Sequence, residues 1–248
     1  MEASGYSDME ALQASNWWFE ARRELIRRIV DRTGPTACTI LDVGCGTGAN
    51  ADALSGAGRM LIGVDASEEA VSRCRTTGLY TELHRSDAEC LPLPDSSVDL
   101  ALCADVLEHT DDVRTSAGIF RVLKPGGVLI VTVPAHMWLW SWNDELCHHR
   151  RRYSSRQLRS LLENRGFVIR RISSWNISSV LPAFLISSLQ RFRRKPDRLE
   201  LNLRLLPPWL DRALLVIMRI ENALVMMTGL PIGVSLFVVA EKPAQPES

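Results

Sequence analysis

A short apolar, β-branched run, Thr39-Ile40-Leu41-Asp42-Val43, stops abruptly at Gly44-Cys45-Gly46-Thr47-Gly48. Glycines at alternate positions let the backbone turn tightly after a strand and leave no Cβ between the main chain and a ligand. A helix beginning near Ala49 then points its free amide groups back toward the turn, where an anionic or polar ligand gains most. A strand, a glycine turn and a helix in this order open a βαβ unit, which restricts the chain to folds built on a parallel sheet.

The remaining sequence continues that pattern. Strands are predicted at TILDV, MLIGV, LYTEL, VDLALC and GVLIVTV, with helices beginning near Ala49, Ser67 and Asp111. The third helix is expected to end at Leu123, because Lys124-Pro125-Gly126-Gly127 cannot readily continue it and turns the chain into the fifth strand. Met137 to Tyr153, rich in Trp, His and Arg, reads as a loop or cap. SSRQLRSLLENRGFVIRRI then predicts a Ser-capped helix, a glycine stop and a sixth strand. Two apolar helical stretches delay a last strand, VSLFVVA, and make residues 176–232 a candidate helical cap. Residues 1–248 are expected to form one doubly wound α/β domain.

Composition narrows the partners. With 29 basic against 29 acidic residues, no global field favours nucleic acid or an anionic membrane, so any such preference must be local. Two local basic clusters exist, Arg150-Arg151-Arg152 and Arg191, Arg193, Arg194 and Lys195, the second beside apolar LPAFLISSLQRF. They are solvated charges or face phosphates, and the second is compatible with peripheral membrane contact. The six cysteines form no CxxC pair, and MEASGYSDMEALQ lacks the basic and apolar regions of a signal peptide, so a cytoplasmic protein is expected. Asn222 to Ala240 carries no charge over 19 residues. Thr228-Gly229-Leu230-Pro231-Ile232-Gly233 interrupts it, which divides it into a helix end and a strand rather than a membrane span.

Asp65 follows Gly46 by 19 residues, at the end of the second strand. A carboxylate there can accept hydrogen bonds from both hydroxyls of an adenosine ribose. Gly44, Gly46 and Ala49 also satisfy the G-x-G-x-x-G/A pattern of NAD proteins, so the glycines alone leave an NAD-dependent oxidoreductase open. Asp42 two residues before the first glycine, Asp87-Ala88 after the third strand and ADVLEH after the fourth distinguish the readings. Together with LKPGG, this series resembles the class I S-adenosylmethionine methyltransferases, small-molecule and lipid-type branch, from about Trp17 to Lys242.

The resemblance implies a mostly parallel seven-stranded sheet with an antiparallel last strand, supplied here by VSLFVVAEK, and S-adenosylmethionine as cofactor. It implies that Gly44 and Gly46 lie against the methionine moiety, that Asp42 organises the loop beneath it and that Asp65 binds the ribose with Ala66 beside the adenine. Asp87 would bond the adenine amino group and Ala88 would offer its amide to the ring. Cys103 and Ala104 would edge the methyl-donor site, and His109 would close it. Asn16 to Arg23 resembles an N-terminal helix covering the cofactor, which makes residues 1–36 a helical cover with Trp18 and Arg22 on the cofactor side. Asp144 through Tyr153 resembles a segment after the fifth strand, with Asp144, His149, Arg151, Arg152 and Tyr153 at matching positions.

For the acceptor end, His149 is the candidate general base, because imidazole titrates near neutrality, with Tyr153 as an orienting neighbour. Trp138, Trp140 and Trp142 alternate, so in an extended stretch they point to one side and, with Asp144, are candidate substrate contacts; packing of the cap onto the core is the alternative. His136, His148, His149 and Asp144 match no closed zinc spacing, so no metal is expected. The expected function is methyl transfer to a small-molecule acceptor, a biosynthetic intermediate, by in-line displacement. A non-catalytic S-adenosylmethionine-binding scaffold or sensor, and a methyltransferase acting on a phosphorylated lipid-like acceptor at a membrane surface, are the alternatives.

Overall fold

The computed structural model describes residues 10–34, 38–190 and 206–244. In chain order the elements are α1 (Trp17–Thr33), β1 (Cys38–Val43), α2 (Ala51–Leu54), β2 (Arg59–Asp65), α3 (Glu68–Arg75), β3 (Glu82–Arg85), β4 (Val98–Ala104), α4 (Asp112–Val122), β5 (Leu123–Pro134), a 3₁₀ turn (Met137–Leu139), α5 (Trp142–Leu146), α6 (Ser155–Glu163), β6 (Val168–Trp175), α7 (Val180–Gln190), α8 (Pro208–Met227) and β7 (Ser235–Glu241). Several helices start where polar side chains satisfy their first amides: Ser67 accepts from Ala70 N, Asp111 from Val113 and Arg114 N, and Ser154 forms a capping box with Gln157.

The seven strands form one sheet in the order β3-β2-β1-β4-β5-β7-β6. Strands β1 to β5 pair in parallel, whereas β7 runs antiparallel to both β5 and β6. Strand order reverses between β1 and β4, so a crevice opens at their carboxyl ends. Side-chain alternation divides the core into two layers. Leu41, Val43, Val64, Cys103 and Val131 face α4 and α6, while Ile40, Leu61, Leu102 and Ile130 face α1, α2 and α8.

Four local features differ from expectation. The third strand lies at Glu82–Arg85 rather than 79–83, because Tyr80 turns inward and donates its hydroxyl to Asp42. The helix after the glycine turn is only Ala51–Leu54, where Ser55-Gly56-Ala57-Gly58 ends it. Strand β5 begins already at Leu123, with a bulge between its Val98 and Leu100 pairings. The helical stretch expected as one cap divides: α8 lies beside α1 on the sheet and supplies Leu215, Met218 and Val225 to the core. The shorter α7 reaches the segment after β5. Among the described residues, no helix is long and apolar enough to cross a membrane.

Candidate active site

At the carboxyl end of β1 the chain turns through Gly44 and Gly46 with φ of +67° and +56°, a conformation that costs an L side chain strain. A Cβ on Gly44 would fall 2.4 Å from Val106 Cγ2, whereas one on Gly46 would meet no protein atom within 4 Å. The first glycine therefore serves packing, and the second borders open space. Gly44 also borders a cleft of about 220 Å³, lined with it by Val64, Asp65, Ala66, Asp87, Ala88, Asp105, Val106, His109 and Thr110. Asp65 Oδ2 accepts from Gly46 N and Oδ1 from Ser67 N, both at 2.9 Å. Each oxygen keeps a lone pair for a further donor. Beneath the turn, buried Asp42 accepts from Tyr80 at 2.6 Å through Oδ2, while its Oδ1 has no partner. Burial pushes Asp42 up to about 7 despite the bond from Tyr80.

Past β4 the chain does not continue as expected. Cys103 is fully buried between Val43 and Val131 in the sheet, and burial raises its thiol well above the ordinary range. Neither Cys103 nor Ala104 lines the cleft, because the strand still holds both in its ladder. Asp105, with φ +55°, turns the chain and brings its own side chain and Val106 to the cleft instead. Asp105 pairs with Arg22 of α1, whose guanidinium lies 4.8 Å from the centroid of the Trp18 ring. Trp18 thus acts on the cleft through Arg22 and does not line it. Ahead of α1, Gln13 meets Thr47 of the glycine turn at 3.2 Å.

His109 leads from the cleft to a second group. Its ring meets His149 edge to face at 4.7 Å. His149 Nδ1 lies 2.8 Å from Asp144 Oδ1; a proton on Nδ1 satisfies that bond and leaves Nε2 as an acceptor. Asp144 is fully buried and also receives Arg152 Nε and Nη2 at 2.8 and 2.9 Å and Ser141 N at 2.8 Å. Burial alone would raise its carboxyl, but the hydrogen bonds from His149 and Arg152 hold it at about 2. These bonds occupy Asp144 fully, so it orients His149 instead of contacting a substrate. Glu108 is buried beside them with Oε2 unpartnered, and burial, then Asp105, pushes it well above the carboxylate range. Ligand atoms of Glu108, His109 and His149 lie within 4.8 Å of one another, a set able to hold a divalent cation or relay a proton.

Tyr153 is elsewhere. It is buried, and its hydroxyl is committed to Asp112 at 2.8 Å and to the Leu107 carbonyl at 3.2 Å, so it braces the loop and does not orient a substrate. The three tryptophans are not on one side of an extended stretch, because Trp138 lies in the 3₁₀ turn and Trp142 begins α5. Trp138 stacks on His136 at 5.3 Å and meets Phe184 at 5.8 Å. None of the three borders the cleft. A larger hollow of about 380 Å³ lies away from the glycine turn, between Arg27, Asp31, Asp52 and Arg59, and contains an Arg59–Asp31 ion pair.

The family described as "Methyltransferase domain" matches residues 41–131, from the end of β1 through most of β5. A Mycolicibacterium smegmatis protein named "Probable S-adenosylmethionine-dependent methyltransferase" is 31% identical over 169 residues, 67% of this chain and 65% of that protein. The Thiobacillus denitrificans ubiquinone biosynthesis O-methyltransferase is 35% identical over 130 residues, 46% of this chain and 56% of the relative. A chain of the complex between the Haloferax volcanii Trm112 methyltransferase activator and a methyltransferase superposes with a TM-score of 0.64 at 20% identity, covering 99% of this chain and 97% of its own. Residues 41–131 carry the methyltransferase domain, and the chain has the fold of the class I S-adenosylmethionine-dependent methyltransferases. The matched part spans less than two thirds of each of the two named relatives.

S-adenosylmethionine is the cofactor of this family, and the methyltransferase's cleft fits it. Gly46 leaves room that a Cβ would fill, Asp65 keeps acceptor capacity, and Asp42 Oδ1 is a buried acceptor without a partner. Sequence reasoning brought Gly44, Asp65, Ala66, Asp87, Ala88 and His109 to one cleft but missed Asp105, Val106 and Thr110. The available signal was their position immediately after the strand in ADVLEHT, where a carboxyl-end crevice takes its lining.

Proposed function

We propose that this methyltransferase moves a methyl group from S-adenosylmethionine to a hydroxyl of a small-molecule acceptor held against His109 and His149. One observation carries the reading: the cleft formed at Gly44, Asp65 and Asp87 opens onto His109, whose ring touches a histidine oriented by a buried carboxylate. In this reading Gly44 and Gly46 bound the methionine end, Asp65 takes the ribose hydroxyls, and Asp87 with Ala66 and Ala88 takes the adenine. Trp18, Arg22 and Asp105 close the side toward α1. Bound S-adenosylmethionine supplies a methyl group already made electrophilic by its sulfonium. The chain's own work is to align the acceptor, exclude water and accept its proton at His149 Nε2, while Asp144 keeps the other ring proton in place and stabilises the imidazolium. A phenolic acceptor is favoured by the need for such a base and by the name of the Thiobacillus denitrificans relative.

The test is transfer of label from S-adenosylmethionine to a panel of phenols, amines and carbon acids. Phenol labelling is expected, with Asp65→Ala losing S-adenosylhomocysteine binding in calorimetry. His149→Ala should keep that binding and lose about a hundredfold in kcat, the usual scale of general-base catalysis. Binding without transfer to any acceptor class would replace this reading with a non-catalytic scaffold or sensor.

A further inference from the structure

Two helices of this protein turn large apolar side chains to water. On α8 the polar groups turn inward: Asp211 accepts from Trp17 N at 3.2 Å, Glu221 from Ile177 N at 2.8 Å, and Asn222 accepts from Trp175 Nε1 at 2.8 Å while donating to Ala21 O. The outer surface carries Trp209, Val216, Ile217, Ile220, Leu224 and Met227, with Trp209 70% and Met227 77% exposed. On α7, Ser187 and Gln190 are buried, Gln190 accepting from Trp142 N at 3.0 Å, while Leu181, Phe184, Leu185, Ile186 and Leu189 are exposed. A water-facing helix ordinarily carries charged and polar side chains on its outer side. Single exposed apolar residues are ordinary, but two helices whose outer surfaces are apolar mark a docking surface.

Charge identifies what docks. Both carboxylates of α7 and α8, Asp211 and Glu221, are directed into the domain, and the exposed ionised side chains on these helices are Arg212 and Arg219. The sequence continuing from Gln190 lies outside the described residues and reads Arg-Phe-Arg-Arg-Lys-Pro-Asp-Arg-Leu-Glu, five basic against two acidic side chains. Arg219 is paired with Glu20 and Glu24 of α1 at 3.0 and 2.6 Å, so Arg212 and the basic run after α7 carry the uncompensated positive charge. An apolar surface flanked by such cationic groups complements the interface of an anionic bilayer, in which a helix lies flat. Neither helix is long and apolar enough to span one. We propose that the outward faces of α7 and α8 dock on the interface of an anionic lipid bilayer. Phe184 of α7 touches Trp138 just after β5, so docking places the acceptor end of the protein at the lipid surface and gives it lateral access to lipid-soluble acceptors. The docking surface is argued from α7 and α8 alone and stands whether or not methyl transfer occurs.

The experiment is flotation of the full chain with phosphatidylcholine vesicles, with and without phosphatidylglycerol, at low and high salt. Flotation with the anionic vesicles, weakened by salt, is expected. Ile217→Glu with Leu224→Glu, and separately Leu185→Glu, should reduce it about tenfold or more, because a buried charge opposes interfacial insertion. Their affinity for S-adenosylhomocysteine should be unchanged. Trp209→Phe should remove a blue shift in fluorescence that the unaltered chain shows on vesicles. Absence of flotation, or flotation untouched by these substitutions, overturns the proposal. So does a dimer in sedimentation that the same substitutions dissolve, since a second copy then covers the faces. A marked loss of thermal stability in Leu185→Glu and Ile217→Glu also overturns it, since the chain then covers these residues itself.

Discussion

Asp144 shows how one buried carboxylate is compensated while it orients a neighbouring imidazole. Two oxygens inside the protein receive Arg152, His149 and Ser141, so the charge is compensated and the imidazole is fixed in orientation. Its carboxyl is held at about 2 against an ordinary 3.8. A carboxyl lowered in the folded state stabilises fully above its unfolded value and loses that contribution as pH falls toward the folded one, here from about 4 to about 2. The shift corresponds to roughly 2 kcal/mol. Asp144→Asn should therefore lower stability by about 2 to 4 kcal/mol at pH 7, leaving Arg152 buried without its partner. Urea unfolding at pH 7, 4 and 3 should show the gap between the two proteins narrowing at the acid end. If His149 is the base proposed above, the same variant should lower kcat more than it raises KM for S-adenosylmethionine, because Asp144 orients that imidazole. An unchanged kcat would make Asp144 a purely structural residue.

At the scale of elements, the glycine turn separates two demands that the sequence motif merges. Gly44 and Gly46 both have positive φ, so an added Cβ carries a conformational cost of about 1 to 2 kcal/mol at either. Gly44→Ala adds a collision with Val106, and Gly46→Ala does not. Gly44→Ala should therefore unfold at a lower urea midpoint than Gly46→Ala. Gly46→Ala should fold, and its Cβ should project into the space where the cofactor is proposed to lie, weakening S-adenosylhomocysteine binding about tenfold or more in calorimetry. Equal binding in Gly46→Ala and the unaltered protein would remove this turn from the cofactor site. The neighbouring β4 end makes a related point. Asp105 becomes a cleft residue because its backbone enters the left-handed region, and a strand-end rule applied to Cys103 and Ala104 stops one residue short.

Across the whole molecule, the cleft is assembled from β1, β2, the loop after β3 and the loop after β4, with α1 held over it by the Arg22–Asp105 pair. A ligand that binds only this assembled state stabilises all of it. S-adenosylhomocysteine at a hundredfold excess over its Kd should add about 2.7 kcal/mol and raise Tm by about 5 to 10 °C in a chain of this size. Asp65→Ala should show almost no such rise at the same concentration. Local patterning determined the βαβ series, the glycine turn, the helix starts near Ser67 and Asp111, the Ser-capped helix before β6 and the approximate strands, because these depend on neighbours within a few residues. Resemblance, and not periodicity, supplied the antiparallel last strand and the cofactor. Only the tertiary structure inserted β7 between β5 and β6, laid α8 against α1, turned the apolar faces of α7 and α8 outward and brought His149 to His109. Hydrophobic periodicity records how much of an element is apolar and with what spacing, but not which distant element it meets. A helix whose polar side faces the protein therefore looks, in sequence, the same as one whose polar side faces water.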